Sequence, residues 1–540
     1  MKELAGDATV KVASWIAILA VAGLSLAPLA AIVSGTAWGR DAGPGNALRS
    51  SLATLLEPRS LRALRFTLTQ AAISTVAALA VGLPGAWLVA RYRFRGRRLL
   101  KSLSAIPFSV PPLLVVLAFV LYYGRGGYLN RLLMALFSLK QPPLGFLYSF
   151  WGIVLVHGFY NFPIVLQNVG EVWARLPRDR EEAARLLGAG RVRAFATGTL
   201  PSLLPSLAQA AALTFLFCYF SFAVVLVFGS LVGSTLEVEV YRRARIEADP
   251  AGASAIALAE TAMALIVVSL IGLVERRDAT ALRAGSPQPL LRPHGPARMA
   301  LAVYAIVLVL FFGGPLFALA VESFTVRRGM GGAGVAGLGN FVRLLTDAGL
   351  ARSLADTALT AVPAASAALV AGSLVAMGLR GGGRRGSILL SLPLAVSSIV
   401  ASLGWSIIFP RGGNALIAPV LALVAFPFVA KAVVGALAVL EVSPPLAARV
   451  LGASRFRAAV DIDFRAVAPS LLAAGAFAFA IAAGDLNVPI ILGRGTFEPL
   501  PILLYRLASA YRFPEACAAG LLLGLITGIV FFIKEGRSDA

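Results

Sequence analysis

Charge is scarce in this sequence. Of 540 residues only 14% are Asp, Glu, Lys or Arg, against the roughly 25% of an ordinary soluble chain. That excludes a water-facing surface of this size. Cysteine and histidine are nearly absent, with two of each. Cys218 and Cys517 both lie in apolar runs, which excludes a disulfide framework and leaves them as small packing residues. His157 and His294 fall on different elements, so no histidine–carboxylate metal centre is expected, and no metal site is assigned. The phosphate-loop pattern of Gly, four residues, Gly-Lys-Ser/Thr does not occur. The chain is therefore not expected to hydrolyse ATP or to be an enzyme.

What is present is apolar sequence. Hydrophobic residues make up 58%, and the mean hydropathy is +0.83. They come in continuous runs of about 20 residues, the length that crosses a bilayer as a helix. Only helices and closed barrels satisfy their backbone in lipid, and continuous rather than alternating runs select helices. Twelve spans are expected, near 12–35, 66–90, 102–123, 147–169, 203–229, 254–274, 299–321, 353–379, 387–409, 414–440, 469–492 and 515–533. The net charge of +22 sits between these runs. It has no aromatic interleaving, so it marks cytoplasmic loops rather than nucleic-acid binding. The segment 91–101 alone holds six Lys/Arg and 170–202 another six. With an even number of spans, both termini are expected in the cytoplasm. Five arginines in 36–65 run against the trend and are expected at the lipid headgroups.

The chain repeats itself. ARLLGAGRVRAF (184–195) aligns with ARVLGASRFRAA (448–459) at an offset of 264, with eight of twelve positions identical. The same offset pairs Phe162-Pro163 with Phe426-Pro427, and upstream it widens to about 290. Each copy has an even number of spans, so the two halves enter the membrane from the same side and should enclose a pathway at their interface. The division expected is 1–280 (core 62–274), a polar Pro/Gly-rich cytoplasmic linker at 281–298, and 299–540 (core 350–533).

The repeated segment lies in a basic loop between the fourth and fifth spans of each half. Its first copy, EEAARLLGAGRVRAFATGTLP (181–201), resembles the Glu-Ala-Ala loop of binding-protein-dependent ABC importer permeases. The family pattern of Glu-Ala-Ala, three residues, Gly, nine residues and Ile-x-Leu-Pro is met by Glu182, Ala183, Ala184, Gly188, Leu200 and Pro201. Gly198 stands where the isoleucine is expected. The second copy keeps Ala447, Ala448, Gly452 and Ile462, but has Leu446 for the glutamate and Phe464-Arg465 for Leu-Pro.

The resemblance implies an all-α integral membrane fold of two tandem six-helix type I permease repeats in a bacterial inner membrane. It implies that the loops couple to two separate ATP-binding subunits, which bind the ATP and Mg. It also implies a periplasmic or lipid-anchored solute-binding protein as partner. FTLTQAAISTVAALAVGLPGAWLVARYRFRGRRLL (66–100) and VHGFYNFPIVLQ (156–167) look like fused permeases of thiamine importers. Ferric-iron importers share the fused layout and are the alternative; an ion-coupled secondary transporter is the rival class.

Polar groups inside spans are costly and mark packing or a pathway. The pathway or gate candidates are Asn161, Gln167, Phe220, Ser221, Phe222, Lys431, Asp485 and Asn487. Thr235, Glu237, Thr496 and Glu498, in corresponding outer loops, are candidates for contact with the binding protein.

Overall fold

The computed structural model describes residues 8–37, 44–97, 100, 110–229, 232–283, 288–327, 334–346, 349–378, 390, 392–411, 413–439, 443–454, 457, 461–462 and 465–538. The start of the expected third span (102–109) and the basic loop 380–386 lie outside these.

In the first half the helices are α1 (Ala8–Ala37), α2 (Pro44–Leu56), α3 (Pro58–Arg91), α4 (Pro112–Tyr123), α5 (Tyr128–Phe137), α6 (Phe150–Arg175), α7 (Asp179–Leu186), α8 (Leu200–Tyr219), α9 (Ala223–Phe228), α10 (Leu236–Tyr241) and α11 (Pro250–Arg283). In the second half they are α12 (Pro296–Leu308), α13 (Gly314–Ser323), α14 (Gly339–Thr346), α15 (Leu350–Gly378), α16 (Ser398–Ile408), α17 (Ile417–Val439), α18 (Ser443–Val450), α19 (Arg465–Gly484), α20 (Asn487–Leu492), α21 (Leu500–Ser509) and α22 (Phe513–Ser538). The exception among the described residues is a short antiparallel hairpin, Thr325–Arg327 with Gly334–Ala336.

Among the described residues, ten helices are long and apolar enough to cross a membrane. Twelve were expected. The ninth run appears as the 11-residue α16, because a 3-10 turn at Leu392–Ala395 and the Ser397 cap, whose hydroxyl accepts from Val400 N, start it late. The twelfth is α22, a helix over Phe513–Ser538 whose apolar sequence continues through Ile529–Ile533. Both runs are helical.

The two halves pack alike. Helix α8 contacts α3, α6 and α11, and its counterpart α19 contacts α15, α17 and α22. In both halves the core pair is built on a stripe of small residues. On α3 it is Ala78, Gly82, Ala86 and Ala90; on α15 it is Ala364, Ala368, Gly372 and Ala376. Such stripes let backbones approach where lipid removes any hydrophobic drive between helices. A Cβ on Gly82 would lie 2.6 Å from Val165 Cβ, and one on Gly372 would lie 2.8 Å from Val429 Cγ1. Those valines are 264 residues apart and those glycines 290, the two offsets of the sequence repeat.

The leading helices are exchanged. Helix α1 packs on α16 and α15 of the second half, while α13 packs on α4 of the first. Tyr123 donates to Phe311 O across this seam at 3.2 Å.

Candidate functional site

Two expected spans are not continuous. The fifth, 203–229, stops at Tyr219, leaves the helix over Phe220–Phe222, and resumes as α9. The eleventh, 469–492, stops at Gly484, breaks at Asp485-Leu486 and resumes as α20. The freed backbone is recaptured locally. Thr235 Oγ1 donates to Ser221 O at 3.0 Å, and Asp485 Oδ1 accepts from Val488 N at 2.8 Å. Irregular backbone at membrane depth is tolerated where it lines a cavity rather than lipid.

A cavity of ≈ 210 Å³ lies there, between the halves. From the first half it takes His157, Tyr160, Asn161 and residues 220–224; from the second it takes Val424, Phe428, Phe477 and residues 484–487. His157 is held from both sides, by Ser74 at 3.1 Å and Ser221 at 2.8 Å. Asn487 donates to Ser398 Oγ at 2.8 Å. Six of the eight residues picked out along the spans therefore meet in one place: Asn161, Phe220, Ser221, Phe222, Asp485 and Asn487. Gln167 and Lys431 do not line it; Gln167 is exposed and Lys431 half-buried. At the cavity wall, Phe428 stacks on Phe217 of the other half (ring centroids 6.0 Å, interplanar 12°) and meets Phe477 edge-on at 5.6 Å.

The repeated loops are the other half of the site. In α7, three acidic residues open the first turn, which suits the helix dipole. The helix ends at Gly188 with φ +87°, a left-handed conformation that costs glycine little. Ala189 N then donates back to Ala184 O at 3.0 Å. The second loop repeats this: Gly452 has φ +93°, and Ala453 N donates to Ala448 O at 3.0 Å. Each tip presents two bare aliphatic side chains. Leu186 and Leu187 are 89% and 90% exposed, and Val450 and Leu451 are 88% and 87%. From Arg191 the first loop runs through a single π turn, Phe195–Thr199, into α8 and so to the break at Phe220.

The match to known proteins can now be placed on this frame. Residues 82–278 match the family described as binding-protein-dependent transport system inner membrane component. The putative 2-aminoethylphosphonate transport system permease protein PhnU of Salmonella typhi is 31% identical over 260 residues, which is 48% of this chain and 89% of that protein. The chain belongs to this permease family. The thiamine transport system permease protein ThiP of Brucella abortus (strain 2308) is 28% identical over 536 residues, covering 95% of this chain and 94% of that protein. ThiP of Escherichia coli (strain K12) is 26% identical over 489 residues, covering 87% and 88%. Two permease repeats in one chain are thus the common layout of ThiP and this protein, a multi-pass permease subunit of an ABC importer rather than an enzyme. Family membership removes the ion-coupled transporter.

Within the permease, the first repeated loop is tied down by a residue the sequence reading passed over. Glu181, beside Glu182, accepts from Arg91 at the end of α3 and from Thr199 Oγ1 at 2.9 Å. Glu182 stays exposed. Gly198, the departure from the family's isoleucine, sits where a Cβ would be 3.0 Å from Glu181 N. The linker joins in: Arg178 donates to Pro289 O at 2.9 Å, and Leu291 exchanges backbone bonds with Arg91 and Arg93. Burial pushes the Glu181 carboxyl up, but Arg91 and Thr199 outweigh it and hold it below the usual carboxylate range. A depressed carboxylate contributes its stability above the unfolded value, near 4.3, and loses it as pH falls through the folded one. Limited proteolysis of the loop should therefore be slow at neutral pH and quicken only below about pH 4. Glu181→Gln should make it fast at neutral pH.

The outer loops depart from expectation. Thr235 and Glu237 are fully buried, not outward-facing. The broken helix needs them inside, since Thr235 caps Ser221 and α10 packs on α11 and α16. Thr496 is exposed beside Arg352, and Glu498 pairs with Arg506 at 2.5 Å.

Proposed function

We propose that this permease passes thiamine or a thiamine phosphate from a periplasmic or lipid-anchored binding protein through the cavity between its halves into the cytoplasm. The halves are 1–280 and 299–540, joined by the cytoplasmic linker 281–298, with both termini in the cytoplasm. Two ATP-binding subunits, carrying the ATP and Mg, dock on the loops at Glu182–Gly188 and Ala447–Gly452. The observation that carries this reading is the pairing of each loop with a broken helix. Helix α8 is 20 residues long, about 30 Å of rigid rod, and it leads from the first loop to Phe220. Helix α19 leads in the same way to Asp485. Closing the ATPases would turn both rods together and part the Phe217–Phe428 contact. Thr496 and Glu498 remain candidates for the binding-protein surface.

The solute assignment is supported by ThiP relatives that match nearly the whole chain. Reconstitution with the neighbouring ATPase and binding protein tests it. ATP-dependent uptake of labelled thiamine is expected. Uptake of ferric iron or 2-aminoethylphosphonate instead reassigns the solute, and ATP-independent uptake would sink the coupling scheme.

A further inference from the structure

The cavity has a chemistry of its own. Aromatic rings from both halves line it, including Tyr160, Phe220, Phe222, Phe428 and Phe477. Among its polar groups, Asn161 and Asp485 offer acceptor oxygens. Asn161 is 1% exposed, and its Nδ2 is spent on His157 O at 3.0 Å and Cys218 Sγ at 3.3 Å. Its Oδ1 has no partner, although a buried amide oxygen is costly to leave so. Asp485 is half-buried at the cavity wall, with one oxygen holding Val488 N. Among the described residues, no lysine or arginine lines it.

Near this wall lie two more acidic side chains, Glu237 and Glu260, both fully buried and both within reach of the Ser397 hydroxyl. Glu237 is within electrostatic range of both Glu260 and Asp485.

We propose that the cavity is a binding site for an organic cation, a flat ring bearing a positive nitrogen. This rests on the cavity being the solute's path. Aromatic faces attract such a charge and do so more strongly when water is excluded. Asp485 supplies the counter-ion, and Asn161 Oδ1 accepts from an amino group. An anion would meet carboxylate with no cation to hold it. A hard metal ion would need several oxygen ligands, and no group of three or more His, Cys, Asp or Glu that could hold one occurs among the described residues. Of the solutes that name the relatives, thiamine, with its quaternary ring nitrogen and aminopyrimidine, has this chemistry, and 2-aminoethylphosphonate does not. The cavity is also smaller than the roughly 300–1,000 Å³ of sites that enclose a drug-sized ligand, so the halves must part to admit it.

The test is equilibrium binding of labelled thiamine to the purified permease–ATPase complex without binding protein. It is compared with the uncharged isostere in which carbon replaces the quaternary nitrogen. Saturable thiamine binding is expected, with the isostere weaker by about tenfold or more, equivalent to about 1.4 kcal/mol. Asp485→Asn and Asp485→Ser both keep an acceptor for Val488 N, so each should erase the difference while the complex stays assembled. Equal binding of the two compounds, no saturable thiamine binding, or an undiminished preference in both variants overturns the proposal. Stimulation of ATP hydrolysis by the binding protein, measured on the same complex, reports separately on the importer reading.

Discussion

Replacing Leu187 and Leu451 together by glutamate is expected to abolish ATP-driven uptake while leaving the permease folded in the membrane. Both side chains stand almost free of their own protein, at the tip of a helix that ends in a left-handed glycine. Neither contributes to the core, so the fold loses little. An aliphatic pair held out on a rigid loop is instead an anchor for an apolar socket, the kind of contact that dominates an interface. An unpaired charge forced into such a socket costs about 3–5 kcal/mol, which is upwards of roughly 100-fold in affinity. Co-purification of the ATPase and uptake in vesicles should fall together. The single variants discriminate further. The second loop lacks the glutamate of the first but has the same exposed pair and the same glycine. If the aliphatic tip is what docks, Leu451→Glu alone should be as damaging as Leu187→Glu. Full uptake in the double variant, at normal abundance, would remove the docking role from these tips.

Much of this arrangement can be read from the chain, and the parts that cannot have physical reasons. The repeated loops are legible because their geometry is local. A glycine four residues past Ala184 or Ala448, with the same neighbours in two copies, marks the same helix end twice. The tandem fold is legible because each span announces itself by length and apolarity. The breaks at Phe220–Phe222 and Asp485-Leu486 are nearly silent, because the residues there are mostly as apolar as the helices around them. Asp485 is the one signal, and its role as a cap shows only in three dimensions. Phe428 was passed over because nothing local distinguishes it from other phenylalanines; its place depends on how the halves meet. Thr235 and Glu237 misled for the opposite reason. Polar residues after a span read as an outer surface, yet here they are needed inside to satisfy an interrupted helix. The exchange of α1 and α13 between halves is a non-local packing choice that no window of sequence records.

The small-residue helix pair in each half gives the prediction with the largest effect on the fold. Gly82→Leu should remove most folded permease from the membrane, and Gly372→Leu should do the same. At Gly82 the neighbours are Val165 Cβ at 2.6 Å and Phe162 O at 2.8 Å, both on α6. At Gly372 they are Val429 Cγ1 at 2.8 Å and Ala430 N at 3.2 Å, both on α17. One of the two close atoms in each case is backbone, so no rotamer change relieves the clash and the helices must separate. Overpacking a core costs about 1–3 kcal/mol even where side chains can give, and here the flanking Ala78, Ala86, Ala368 and Ala376 lose their contacts too. Detergent-solubilised Tm and membrane abundance are the readouts. Both should drop sharply, and by similar amounts for the two sites, because the same small-residue stripe sits at both. Gly158 is the control: a Cβ there meets nothing closer than 3.7 Å, so Gly158→Ala on the same pair of helices should leave abundance unchanged. Normal abundance of Gly82→Leu would mean that α3 and α6 do not approach as closely as described, and the symmetry argued from the two offsets would fail with it.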